Sequence, residues 1–307
     1  MSMNNFAGYD FHLHSCYSAD CDTPIEDIIR VANEKGLEAI CLTDHYDMDF
    51  PDNPDGLSFE LDVDGLIQKI KKLQASIYKI DAGNTNKVLN NSLQLYAGLE
   101  QGVMPSTCSK LSNYSIEHPG LDFIIASSHV VNGIDPYYPE CWRYPDGTLK
   151  DVNQIYMQYF EDILYNVKHF DDYNVYGHID YIFRYGPADA PTDVYEKVNS
   201  EVFAEKYFPR FRDILHEILK TIIENGKGIE INTGSLYRGL DYMHPHPLIL
   251  SMYRELGGEI LTIGSDAHDL EHIGYGFDEA VELARSIGFK YLTTFKEMKP
   301  ELRLFLK

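Results

Sequence analysis

"YDFHLHSCYSAD", residues 9–20, sets an apolar, strand-forming run directly against two histidines one residue apart, followed by small polar residues and an aspartate. On a β-strand, residues i and i+2 point to one face. His12 and His14 would therefore aim two imidazoles at one point, an arrangement suited to a cation. Taken alone, an HxH pair is a weak signal. It gains weight because the same pattern, an apolar run that ends in polar residues, recurs along the chain.

After "YDFHLH" comes a helix-period segment, "TPIEDIIRVANEKG", with Thr23 as N-cap, Pro24 at the first helical position, Glu26 completing a capping box and Gly36 as the stop. The alternation then repeats. "LEAICLTDH", "LQLYAGLE", "LDFIIASSH", "NVYGHID", "KGIEINT", "EILTIGSDAH" and "FKYLTTF" read as strands, separated for the most part by helical segments. Such alternation implies a parallel sheet with helical crossovers, and about seven repeats suit closure into a barrel. No linker divides the chain, so residues 1–307 are expected to form a single domain. Two irregular stretches, 46–62 and 132–151, follow strands and would lie on the barrel rim as lids or substrate loops. The polar stretch 81–92 reads as a turn on the opposite rim.

Bulk composition narrows the function. Asp plus Glu is 48 against 26 Lys plus Arg, a net charge of −22. A surface this acidic argues against long nucleic acid, which requires cationic neutralisation of phosphates. A local metal cluster can still reverse the field inside a pocket and admit a small phosphate ester. No apolar run approaches the ~18 residues of a membrane span, and the first residues lack the pattern of a signal peptide. A cytoplasmic protein with no membrane partner is the expectation. The five cysteines are odd in number and scattered without a CxxC, so a reducing compartment fits, and Cys16 and Cys21 read as bystanders.

The polar residues that end the apolar runs carry the chemistry. They are His12 and His14, then Asp20 in the following loop, Asp44 and His45, Glu100, His129, His178, and Asp266 with His268. In a parallel barrel the C-terminal strand ends form one rim, where active sites lie. Six of the chain's 12 histidines fall there, whereas chance would scatter them.

The ordered set "HLH", "TDH", "GLE", "SSH", "GHID" and "SDAH" resembles the PHP family, named for polymerase and histidinol phosphatase, over residues 10–268. Through "GHIDYIFRYG", "EINTG" and "GGEILTIGSDAH" it is most similar to the family's histidinol-phosphate phosphatase branch. The resemblance implies a distorted (β/α)7 barrel carrying two to three divalent transition metals. It places one metal on His12, His14, Glu100 and Asp266. A second falls on Glu100, His129 and His178, and a third on Asp20, His45 and His268. Glu100, Asp266, His178 and Asp20 are then the residues expected nearest to catalysis. Three divalent cations against three carboxylates leave a charge of about +3, which suits a phosphate dianion. Mixed imidazole and carboxylate ligands fit Zn, Mn or Fe.

Arg184, just past a strand end, is expected to clamp phosphate, with Arg238 as a second donor and Asn232 and Ser235 as further substrate contacts. Asp44 and Asp180 are expected to support ligand histidines from behind. His244, His246, His118, His169, His216 and His272 read as structural. The rim loops offer Asp47, Asp49, Asp52, Asp135, Glu140, Tyr137, Tyr138 and Trp142 to an amine and a flat ring. The implied activity is phosphomonoester hydrolysis, most directly of histidinol phosphate in histidine biosynthesis. The competing readings are a phosphodiesterase or phosphatase acting on a small nucleotide and a non-catalytic, metal-dependent binding subunit.

Overall fold

A computed structural model describes residues 8–79, 93–186 and 198–304; the stretch 81–92 lies outside the described residues. Among the described residues there are ten strands: β1 (Tyr9–Leu13), β2 (Ala39–Leu42), β3 (His45–Asp47), β4 (Gln94–Gly102), β5 (Phe123–Ser127), β6 (Val175–Tyr176), β7 (Gly228–Asn232), β8 (Leu261–Gly264), β9 (Tyr291–Lys296) and β10 (Lys299–Leu304). Seven of them form a parallel sheet in the order β1-β2-β4-β5-β6-β7-β8, and the short β3 pairs with the second half of β4. The sheet closes through residues just past β8: the Asp266 amide donates to the His12 carbonyl (2.8 Å) and the His14 amide to the Ala267 carbonyl (3.0 Å). The fold is thus the (β/α)7 barrel expected from the alternation. Its distortion lies in the two-residue β6 and in a closure made outside regular strand pairing.

The helices cover the outside with apolar stripes. In Phe208–Glu224, the buried residues Phe211, Leu215, Ile218, Leu219 and Ile222 follow the 3.6-residue period. Val152–His169 starts at Asp151, whose carboxylate accepts the amides of Asn153 and Gln154, and ends in Lys168 and His169, which suit the negative end of the helix dipole. The first helix, Ile25–Glu34, corrects the expected cap. Pro24 occupies the N-cap position, and the Thr23 hydroxyl donates instead to the His268 carbonyl (3.0 Å), tying this loop to the β8 end. Gly36 does end the helix, at φ +79°.

A second correction concerns "FKYLTTF". This run is β9, which pairs antiparallel with β10 and not with the barrel. The hairpin closes the N-terminal mouth: the Met298 amide donates to the Asp122 carbonyl, Asn174 Nδ2 donates to the Met298 carbonyl, and Phe295 stacks on Phe123 at 5.0 Å. Phe295 thereby joins Phe11, Ala39, Cys41, Tyr96, Phe123, Ile125 and Val175 in a separate small apolar cluster. Along β1, Phe11 belongs to that cluster and Leu13 to the larger core, and the register against β2 shifts between Asp10 and Leu13. Among the described residues, no helix is long and apolar enough to cross a membrane.

Candidate metal centre

The strand ends bring all nine expected ligands together. Glu100, inside β4, is the hub, and β3 sets His45 in register beside it. Its Oε2 lies 3.0 Å from His12 Nε2, 3.4 Å from His14 Nε2 and 3.2 Å from His45 Nδ1. Its Oε1 lies 3.0 Å from His129 Nε2 and 2.7 Å from His178 Nε2. Asp266 Oδ1 stands 3.5 Å from His14 Nε2 and 4.0 Å from His12 Nε2. Asp20 Oδ2 faces His45 Nε2 at 3.7 Å and His268 Nε2 at 3.3 Å.

These atoms fit a cation better than they fit one another. The Nε2 atoms of His12 and His14, Nδ1 of His45 and Oε2 of Glu100 are buried without a hydrogen-bond partner, although they converge. Buried polar atoms are normally paired. His12, His14 and Glu100 could share one ion, as could His45, Glu100 and His129, and His14, His45 and His268. Burial opposes the charge of Glu100, but His12, His45 and His129 hold its carboxyl well below the usual range. Burial likewise opposes the charge of Asp266, and Arg238 and Arg184 more than offset it. Both carboxylates are therefore anions available to a metal. The backbone of Asp266 is left-handed, φ +55°, and Gly264 lies so close to β1 that a Cβ there would come within 2.1 Å of His12 Cβ.

The supports behind the histidines differ from the sequence expectation. His12 Nδ1 lies 2.5 Å from Glu230 Oε1, and His129 Nδ1 lies 2.6 Å from Asp47 Oδ2. A proton on Nδ1, donated to these carboxylates, leaves the Nε2 lone pair facing the centre. Sequence reading missed Glu230; its signal was a carboxylate within the apolar strand "GIEIN". Asp47 had been assigned to a rim loop. Asp44 acts one bond further away: it accepts from Ser15 and Ser18, and the Ser18 hydroxyl meets His14 Nδ1 at 3.1 Å. Asp180 does not touch a cluster histidine. It holds His244 Nδ1 (2.7 Å) and the His246 amide (2.9 Å), so it and those two histidines form a separate structural group.

A cavity of about 410 Å³ opens on the cluster, lined among others by Glu100, His129, His178, Asp266, Arg184, Arg238, Tyr181 and Tyr185. Arg184 is buried, donates to Asp266 Oδ2 (3.2 Å), lies 4.9 Å over the Tyr181 ring, and keeps an Nε–H without a partner. Arg238 meets the same Asp266 oxygen at 3.3 Å. Two other expected substrate contacts lie outside the cavity. The Ser235 hydroxyl donates to the Tyr242 carbonyl (2.6 Å). Asn232 Nδ2 is buried behind the ligands, 3.3 Å from Glu230 Oε2 and 3.3 Å from Asp266 Oδ2.

The rim loops divide in the same way. Tyr137, Tyr138, Asp135 and Asp55 line the cavity, and the Tyr138 hydroxyl donates to Asp55 at 2.8 Å, joining the two loops. Burial raises the Asp135 carboxyl to about 6. Trp142 is fully buried, with Nε1 bonded to the Pro136 carbonyl, and packs on Tyr156. Asp49 pairs with Lys110, while Asp52 and Glu140 line a neighbouring cavity. Cys16 is exposed, and the Cys21 thiol points to the His268 carbonyl at 3.1 Å.

With this geometry in hand, the likeness to known proteins is specific. The PHP domain family model matches residues 10–234. The histidinol-phosphatase of Lactococcus lactis subsp. lactis is 32% identical, covering 94% of this chain and 95% of that one. A probable histidinol-phosphatase of Thermotoga maritima is 27% identical, covering 92% and 94%. The crystal structure of L. lactis histidinol phosphate phosphatase, complexed with zinc, L-histidinol and phosphate, superposes with a TM-score of 0.74 at 29% identity, covering 95% of this chain and 98% of that one.

Proposed function

The chain belongs to the PHP domain family, and from that premise we propose that it hydrolyses L-histidinol phosphate to L-histidinol and phosphate. The observation that carries the reading is the convergence of the proposed ligands around Glu100, with seven of the nine and both arginines lining one cavity and His12 and His14 set against Glu100 behind it. That cavity falls in the size range of small-molecule sites. The zinc, L-histidinol and phosphate of the L. lactis structure support the same substrate and cofactor class here.

Two to three divalent ions would be held by His12, His14, Glu100 and Asp266; by Glu100, His129 and His178; and by Asp20, His45 and His268. Bound there, such ions supply Lewis acidity toward the phosphoryl group and an activated water near neutral pH. The rest is work for the chain itself. Arg184 and Arg238 share Asp266 Oδ2, which holds both guanidinium cations at the cavity wall, and Arg184 keeps an unpartnered Nε–H for a phosphoryl oxygen. Asp20 stays ionised, because His45 and His268 beside it overcome the opposing effect of burial. It serves as an anion and not as a proton donor. Asp135 and Asp55 offer negative charge to the substrate ammonium, and the tyrosines of the same wall border its ring. Ligands from residue 12 to residue 268 make the barrel one catalytic unit, and we treat residues 1–307 as that single domain.

The test is phosphate release by purified protein from histidinol phosphate, other phosphomonoesters and nucleotide diesters, with metals quantified alongside. Preference for histidinol phosphate with transition metal bound is the expected result. Preference for a nucleotide diester would replace this reading with a phosphodiesterase. No turnover of any ester by metal-loaded protein would leave a binding subunit.

A further inference from the structure

Arg238 carries a long side chain, and a phosphate ligand has to be held in one place. The structure shows how. Arg238 Nη1 donates to the Tyr237 hydroxyl (2.7 Å), and Nη2 donates to the Asp266 carbonyl (3.2 Å). The same Tyr237 hydroxyl lies 2.5 Å from the Asp266 carbonyl. A phenol has one proton. Donated to that carbonyl, it leaves only lone pairs toward the guanidinium, so the hydroxyl receives Arg238 in a fixed direction. The tyrosine ring is fixed in turn. His272 stacks on it at 3.9 Å and 19°, Tyr275 meets it edge-on at 5.6 Å, and Asp269 holds His272 through Nδ1 at 2.8 Å. The guanidinium is confined from another side, because a Cβ on Gly234 would come within 2.4 Å of Nη1. Tyr237 does not itself line the cavity.

We propose that Tyr237 is a positioning residue that sets phosphate affinity by orienting the Arg238 guanidinium; this rests on the reading of Arg238 as a phosphate ligand. Its neighbours act at one remove: Gly234 provides the space, and the Asp269–His272 pair keeps the ring in place. The hydroxyl also touches the peptide of Asp266, so a route through metal binding has to be separated from one through Arg238.

A double-mutant cycle does this on the metal-loaded full chain, with Tyr237→Phe, Arg238→Ala and the pair, reading calorimetric affinity for inorganic phosphate, kcat and KM, and metal content. Tyr237→Phe keeps the stacked ring and removes the acceptor. It is expected to weaken phosphate binding about tenfold, the scale of one hydrogen bond to a charged group, to raise KM more than it lowers kcat, and to leave metal content unchanged. In the Arg238→Ala background it should have no further effect. An equal cost in both backgrounds, or a metal loss that parallels the loss of binding, overturns the proposal while leaving Arg238 as a phosphate ligand. Unchanged phosphate binding in Arg238→Ala removes that ligand and the proposal with it. Gly234→Ala crowds the same guanidinium without altering Tyr237, although its Cβ also comes within 3.0 Å of Asn232 Oδ1 and Asp266 Cβ. It should weaken phosphate binding with metals retained, and a parallel metal loss would put the effect on Asp266 and count against the proposal. This keeps the question open to test should Tyr237→Phe not fold.

Discussion

His12 Nδ1 lies 2.5 Å from Oε1 of Glu230, and both side chains are buried inside the barrel. The pair orients one of the two histidines that open the sequence motif. Glu230 also accepts from the His178 amide and from Asn232 Nδ2, so its carboxylate serves two of the strand ends that build the centre. Carboxylates placed this way fix the imidazole tautomer and raise its basicity. Glu230→Gln should therefore lower metal affinity about 10–100-fold with the fold retained. Metal titration of the apo protein, alongside circular dichroism, checks this; wild-type affinity in the variant would show that the pair only packs.

Glu100→Gln should be more severe. One oxygen of Glu100 faces His12, His14 and His45, and the other faces His129 and His178. Removing its charge weakens both groups at once. Elemental analysis should find less metal per chain in Glu100→Gln than in any variant that loses a single histidine, and activity should fall with it. Equal losses in Glu100→Gln and His178→Ala would contradict the shared role.

Which parts of this site were legible in the sequence follows from how far each interaction reaches. The side chains that converge on the centre sit at the ends of apolar runs, and strand-end position is a local property, so the convergence of His12, His14, His45, Glu100, His129, His178, Asp266 and His268 could be expected in order. The groups behind them are set by pairing between distant strands. Glu230 and His12 are 218 positions apart, and Asp47 and His129 are 82 apart. No local pattern announces either contact. Asp180 was drawn to the wrong partner for the same reason: adjacency to His178 in "GHID" says nothing of His244, 64 positions away. The eighth apolar run misled because burial on a hairpin under the barrel and burial within it leave the same hydrophobic trace. β9 has four consecutive buried residues, Leu292–Phe295, and reads as a barrel strand would.

Arg184→Ala should lower kcat/KM by about 10²-fold, the scale of a charge-assisted bond to a buried anion worth about 2–3 kcal/mol. Metal content should be preserved. Arg184 does contact Asp266, yet Arg238 meets the same oxygen and keeps that carboxylate neutralised in the variant. Steady-state kinetics on metal-verified samples decide it. Wild-type kinetics would reduce Arg184 to an ion-pair partner of Asp266, and metal loss in step with activity would place its effect on the cluster.

The far wall of the cavity is expected to set a selectivity for histidinol phosphate over a plain ester such as p-nitrophenyl phosphate. Deleting residues 135–147 is a poor test, because it would remove the fully buried Trp142, and truncating a core aromatic alone costs about 3–5 kcal/mol. Asp135→Asn is cleaner: it keeps the shape and removes the charge proposed to meet the ammonium. It should raise KM for histidinol phosphate about tenfold or more, the scale of a lost charge-assisted bond, and leave KM for p-nitrophenyl phosphate nearly unchanged. The pH dependence has a definite sign. Burial raises the Asp135 carboxyl from 3.8 to about 6, so the group is charged above that pH and takes a proton as pH falls through it. Because the folded state holds this proton more tightly than the unfolded chain, the group's contribution to stability declines as pH rises from about 4 to 6. Selectivity runs the other way. The ratio of the two KM values should favour histidinol phosphate above about pH 6 and lose part of that preference below it. The two esters' phosphates titrate at different pH values, so the ratio alone does not remove that titration; comparison with Asp135→Asn, measured on the same two esters, removes it together with the titration of the substrate imidazole. A ratio with the same pH profile in wild type and Asp135→Asn would take Asp135 out of substrate recognition.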